Sequence, residues 1–107
     1  MNDATLSALI GSIEKWMLIE YGVGYDEGWS NCPLCELFRD WDCIGCPVAG
    51  EDYARQHCSQ TPYDQWDSHY KEKHPRARGK AVCSTCIVLA HKETEFLKRL
   101  LPKRNKP

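Results

Sequence analysis

Five of the seven cysteines in this chain lie within CPLCELFRDWDCIGCPVAGEDYARQHCSQT, the stretch from Cys32 to Thr61. Two C-x2-C pairs, Cys32/Cys35 and Cys43/Cys46, are separated by seven residues, and Cys58 follows twelve positions after Cys46. A C-x2-C turn presents two thiolates to one ion, and four thiolates complete a tetrahedral zinc shell. Four of the five residues Cys32, Cys35, Cys43, Cys46 and Cys58 are therefore expected to hold Zn2+ in a closed, structural site. Pro33 and Pro47 stiffen the two turns, and Gly45 can take the positive φ that a tight thiolate turn asks for. Between the pairs, ELFRDWD is long enough for about one and a half helical turns, and its Leu37, Phe38 and Trp41 would shield the metal.

At 107 residues the chain makes one domain with a thin core, so a metal staple matters to its stability. The N-terminus, MNDATLSALIGSIEKW, carries an acid in place of a basic leader, and no apolar run reaches the roughly eighteen residues that span a bilayer. The expected compartment is a reducing cytoplasm, where clustered cysteines favour metal over disulfides.

Around the cysteine-rich centre the pattern is helical. Leu6, Leu9, Ile10, Ile13, Trp16 and Met17 recur on one face, with Leu18 and Ile19 broadening it, Asn2 or Asp3 as cap and Gly22 as the terminating residue; this predicts a helix over 4–21. Thr61-Pro62-Tyr63-Asp64 reads as a helix start, with Tyr63, Trp66 and Tyr70 on one face of a helix over 62–72. Leu89, Ala90, Phe96, Leu97, Leu100 and Leu101 mark a third helix over 84–101, interrupted by Glu93 and Thr94. The fold class is small and mainly α: two long amphipathic helices and a shorter one around an irregular zinc-binding centre, with a frayed tail over 102–107.

Cys83 and Cys86 form a further C-x2-C pair. Joined by Cys58 and one of His57, His74 or His91, they would make a second zinc site of three cysteines and one histidine; the competing reading is two buried or free thiols. Taken one at a time, His57 and His69 read as ordinary histidines.

Charge is strongly divided. Residues 1–67 contain twelve acids and three bases, whereas residues 68–107 contain eleven bases and three acids. Such a split serves either internal pairing and solvation or contact with a polyanion. The segment KEKHPRARGK, with Lys71, Lys73, Arg76, Arg78 and Lys80, is the candidate for a nucleic-acid backbone, although no aromatic is interleaved to stack on bases.

Catalysis finds little support. GVG at 22–24 lacks the context of a phosphate loop, and there is no H-E-x-x-H and no H-x-E of the zinc deaminases. Cys32-Pro33-Leu34-Cys35 has the form of a dithiol redox centre but lacks βαβ surroundings. Cys46-Pro47 is reminiscent of iron-sulfur ligation, yet the compact C-x2-C-x2-C run is missing. Thiol redox and iron-sulfur chemistry stand as alternatives to a noncatalytic zinc protein.

In these same residues the sequence resembles a family of short cysteine-rich proteins encoded by tailed bacteriophages and prophages. The resemblance rests on Ser12-Ile13-Glu14-Lys15-Trp16, Cys32-x2-Cys35, Cys43-x-Gly45-Cys46-Pro47, Cys58, Thr61-Pro62-Tyr63 with Trp66, and Glu95-Phe96-Leu97. It includes the five central cysteines and not Cys83 or Cys86. It implies action in the cytoplasm of a bacterial host by binding a host protein, such as a defence or replication factor, or a nucleic acid.

Overall fold

The computed structural model describes residues 1–38, 46–48 and 61–102. The expectations for Trp41, Cys43, Gly45, His57, Cys58 and the end of the tail lie outside these. Four α-helices and one short 3-10 turn are present among the described residues, and no strand: α1 (Asp3–Glu20), the 3-10 turn (Gly28–Asn31), α2 (Pro33–Phe38), α3 (Pro62–Lys73) and α4 (Ser84–Arg99). The mainly helical expectation holds, with α2 starting immediately after Cys32 instead of between the two cysteine pairs.

α1 begins at Asn2, whose side chain accepts a 2.8 Å hydrogen bond from the Thr5 N–H. It ends where Gly22 turns to φ 83°, after which Val23 and Gly24 both donate to the Leu18 carbonyl. The buried face of α1 comprises Thr5, Leu9, Ser12, Ile13, Trp16 and Ile19. This is rotated from the apolar stripe in the sequence: Ile10 and Leu18 are exposed, while Ser12 is buried with its hydroxyl donating to the Ala8 carbonyl at 3.0 Å. By bonding its own helix, the small hydroxyl residue is buried without leaving its polar atom unsatisfied.

α1 packs against α4 and α2, and α3 packs against α4. Their shared core is Leu9, Ile13, Trp16, Ile19, Leu34, Cys46, Val48, Trp66, Cys86, Ala90 and Leu97. Trp16 is its aromatic centre, edge-on to Trp66 at 5.2 Å and to Tyr63 at 5.8 Å between ring centroids. The polar interruption expected in α4 falls inside this core, because Glu93 and Thr94 are both buried. Thr94 resolves its burial by donating to the Ala90 carbonyl at 3.0 Å. His91, on the outer side of α4, instead ties that helix to the end of α1 through Glu20 at 2.5 Å.

The loop over 22–31 is held by one carboxylate. Asp26 Oδ1 accepts from Lys15 Nζ at 2.8 Å and from the Gly28 N–H at 2.9 Å, and Oδ2 accepts from the Tyr63 hydroxyl at 3.1 Å and the Trp66 indole N–H at 3.2 Å. Four donors on a buried carboxylate join α1, the loop and α3.

Candidate metal centre

The connection from α3 to α4 assembles the clearest site. α3 stops at His74, whose N–H still bonds the Tyr70 carbonyl at 2.8 Å, and Pro75 forbids another turn. The chain then reverses through Ala77 N–H to His74 O and Lys80 N–H to Ala77 O, with Arg78 at φ 57° and Gly79 at φ 77°. Gly79 is required on two counts: a Cβ there would sit 2.1 Å from the Asp26 carbonyl oxygen, and the left-handed φ disfavours any side chain. Asp26 donates its N–H to the Gly79 carbonyl at 2.9 Å, so the reversal is pinned to the same residue that holds the core loop.

The returning chain delivers Cys83 as the N-cap of α4, its sulfur accepting from the Cys86 N–H at 3.4 Å. His69 and His74 from the end of α3 and Cys83 and Cys86 from the start of α4 thus converge, with all four ligand atoms within 4.8 Å of one another. Cys83 Sγ lies 3.3 Å from His74 Nε2, 3.4 Å from His69 Nε2 and 3.4 Å from Cys86 Sγ. The two imidazoles meet edge to face, 5.1 Å between centroids. This group of two sulfurs and two ring nitrogens could hold a metal ion.

The electrostatics suit it. The Cys86 backbone N–H, then the His69 side chain, lower the Cys83 thiol to about 6, so it is largely thiolate at neutral pH. Burial pushes the Cys86 thiol up, and so does Cys83 beside it. A cation between the two sulfurs would reverse that opposition, since metal binding deprotonates both.

A similar turn occurs at the central pair. Cys32 precedes α2, its sulfur accepting from the Cys35 N–H at 3.3 Å, and Glu36 N–H closes the first turn on the Cys32 carbonyl at 2.9 Å. The Cys35 side chain lowers the Cys32 thiol to about 6 against the opposing effect of burial. This pair too could contribute to a metal site. Cys46 is buried in the core, while Cys43 and Cys58 lie outside the described residues.

The partners of Cys83 and Cys86 differ from the expectation. His74 is among the three histidines considered for the fourth position, whereas His91 faces Glu20 and Glu95 and Cys58 is not described. His69, read as ordinary, is the residue that sequence reasoning missed. The signal was the joint spacing His-x4-His-x8-Cys-x2-Cys, which is visible only when the histidines are considered together with the cysteine pair. Of the basic candidates, Lys71 pairs with Asp67 at 2.9 Å and Lys73 with Glu72 at 3.5 Å. Arg76, Arg78 and Lys80 are exposed on the reversal that the four ligands close.

No helix among the described residues is long and apolar enough to cross a membrane. No protein-family model matches the chain, and comparison with curated proteins and with solved structures finds no significant match to either.

Proposed function

We propose that the chain is a noncatalytic zinc-stabilised binding protein, phage-encoded, that acts in the cytoplasm of a bacterial host by engaging a host protein such as a defence or replication factor. The observation that carries this reading is the His69, His74, Cys83 and Cys86 group. A tetrahedral zinc with Zn–S of about 2.3 Å and Zn–N of about 2.0–2.1 Å spaces its ligand atoms by roughly 3.3–3.8 Å. The separations from Cys83 Sγ are 3.3 and 3.4 Å to the two imidazole nitrogens and 3.4 Å to Cys86 Sγ. They fall a few tenths of an ångström short of the roughly 3.6 Å (S···N) and roughly 3.8 Å (S···S) of such a shell. All four ligand atoms lie within 4.8 Å of one another, so small side-chain shifts would seat the ion. Four protein ligands leave no vertex for water or substrate, which is the coordination of a structural rather than a catalytic zinc. The same close spacing speaks against a Rieske cluster, in which the cysteines and the histidines ligate different irons. A second zinc at the central cysteines completes the proposal, and the phage and host context rests on the resemblance described above.

The test is capture from bacterial lysate on the zinc-loaded protein, followed by reconstitution of the complex from purified components. A stoichiometric complex with one host protein is the expected result, and failure to reconstitute any captured protein would contradict the reading.

A second reading, a zinc-dependent nucleic-acid-binding module, is favoured by one observation: Arg76, Arg78 and Lys80 are presented, exposed, on the loop between ligands His74 and Cys83. Three phosphate contacts would give a slope of log affinity against log salt of about −2 to −3. A gel-shift titration at low salt that shows no complex with single- or double-stranded DNA or RNA would remove it.

A further inference from the structure

A cavity of about 650 Å3 opens between the four helices, within the size range of sites that enclose small organic groups. Glu93 of α4 lines it. That side chain is 3% exposed, and its Oε1 has no hydrogen-bond partner among the described residues. A buried carboxylate oxygen without a donor opposes folding, so its retention calls for an explanation.

Three of the described donors that line the cavity are committed elsewhere. The Ser12 hydroxyl bonds its own helix, and Lys15 holds Asp26 at 2.8 Å. The other lysine of the cavity, Lys71, holds Asp67 at 2.9 Å. Both bases are thus paired, while three further carboxylates, Glu27, Asp64 and Glu93, line the same space. Trp16, Tyr63 and Tyr70 give it aromatic walls, and Leu34 and Leu97 apolar ones. Cys32 and Cys35 border it on the α2 side. An excess of carboxylates, one of them buried and unsatisfied, beside aromatic rings defines a site for an organic cation.

We propose that this cavity receives an arginine side chain of the bound protein, with the guanidinium on Glu93 and the aliphatic stem against the aromatic walls. This rests on the binding-protein reading and names the group by which the partner is anchored. Arginine fits better than lysine because its guanidinium is planar, weakly hydrated, able to bond a carboxylate through two parallel N–H donors and able to stack on rings. Arginine is also among the residues that most often dominate interface affinity when seated in a desolvated pocket.

The test is an NMR titration of the zinc-loaded protein with N-acetyl-arginine methylamide, and with the corresponding citrulline and lysine compounds, using wild type and Glu93→Gln. Citrulline keeps the shape and loses the charge. The arginine compound should bind saturably, shift the Trp16 indole resonance, and bind at least about tenfold more tightly than citrulline, the discrimination a charge-assisted hydrogen bond supplies. Glu93→Gln should erase that preference while retaining the dispersed spectrum of the folded protein. Equal binding of arginine and citrulline by wild type, or an undiminished preference in Glu93→Gln, would overturn the pocket. A host protein that binds wild type and Glu93→Gln equally would also overturn it while leaving the binding-protein reading intact. Arginine recognition with no host protein bound would do the reverse.

Discussion

Glu93 and Asp26 show how differently two buried carboxylates are treated in one small core. Asp26 receives four donors, whereas Glu93 Oε1 receives none among the described residues. Burial is the main reason the Glu93 carboxyl is raised from 4.5 to about 7, with the Cys32 and Asp26 charges adding to it and Lys15 opposing. The folded state then holds the Glu93 proton across a range in which the unfolded state has released it. Stability is lost as pH rises from about 4.5 towards 7 and is level above that. The shift corresponds to about 3 kcal/mol in total at about 1.4 kcal/mol per pH unit. Glu93→Gln removes this dependence, so its stability relative to wild type should grow by about 2–3 kcal/mol between pH 5 and pH 8 in urea unfolding at constant zinc. A constant difference across that range would show that Glu93 does not titrate in this window. Neither role was visible in the sequence. Asp26 sits in a glycine-rich loop and Glu93 breaks an amphipathic pattern, and whether such a residue points to solvent or to the core depends on the helix opposite.

The helices themselves were legible because their periodicity, caps and stops agree. Asn2 and Gly22 bracket α1, Pro62 opens α3, and the expected ends of α1 and α4 fall within two residues of those observed. What the pattern could not give is rotation about each axis. Ser12 and Thr5 face inward and Ile10 and Leu18 outward, because tertiary packing overrides the preference of a single position. The reversal between α3 and α4 was equally hidden: KEKHPRARGK reads as a basic loop, and only the fold reveals that it brings His69 and His74 against Cys83 and Cys86. Gly79 is the residue on which that reversal depends. Gly79→Ala places a Cβ 2.1 Å from the Asp26 carbonyl oxygen at a φ of 77°, so both backbones must shift. A loss of about 2 kcal/mol or more is expected, measured by chemical unfolding, together with weaker zinc retention as the ligands from α3 and α4 are pulled out of register. Unchanged stability would mean that the contact with Asp26 does not hold the loop.

Across the whole molecule, the cysteines made a possible metal site foreseeable, and the central cluster, of which Cys43 and Cys58 lie outside the described residues, drew the attention first. Among the described residues, the group of four converging side chains that could hold a metal joins the end of α3 to the start of α4, and half of it is histidines that carry no pairwise signature. In a domain this small the binding free energy of a structural metal is part of the folding free energy. A metal held by His69, His74, Cys83 and Cys86 would fasten the end of α3 to the start of α4. The decisive measurement is zinc per chain by native mass spectrometry, on protein purified without added metal, for wild type and for the double variant Cys83→Ser, Cys86→Ser. Zinc at His69, His74, Cys83 and Cys86 predicts a loss of one ion per chain in the double variant, whatever the central cysteines hold; an unchanged zinc count, or a wild type without zinc, would contradict it.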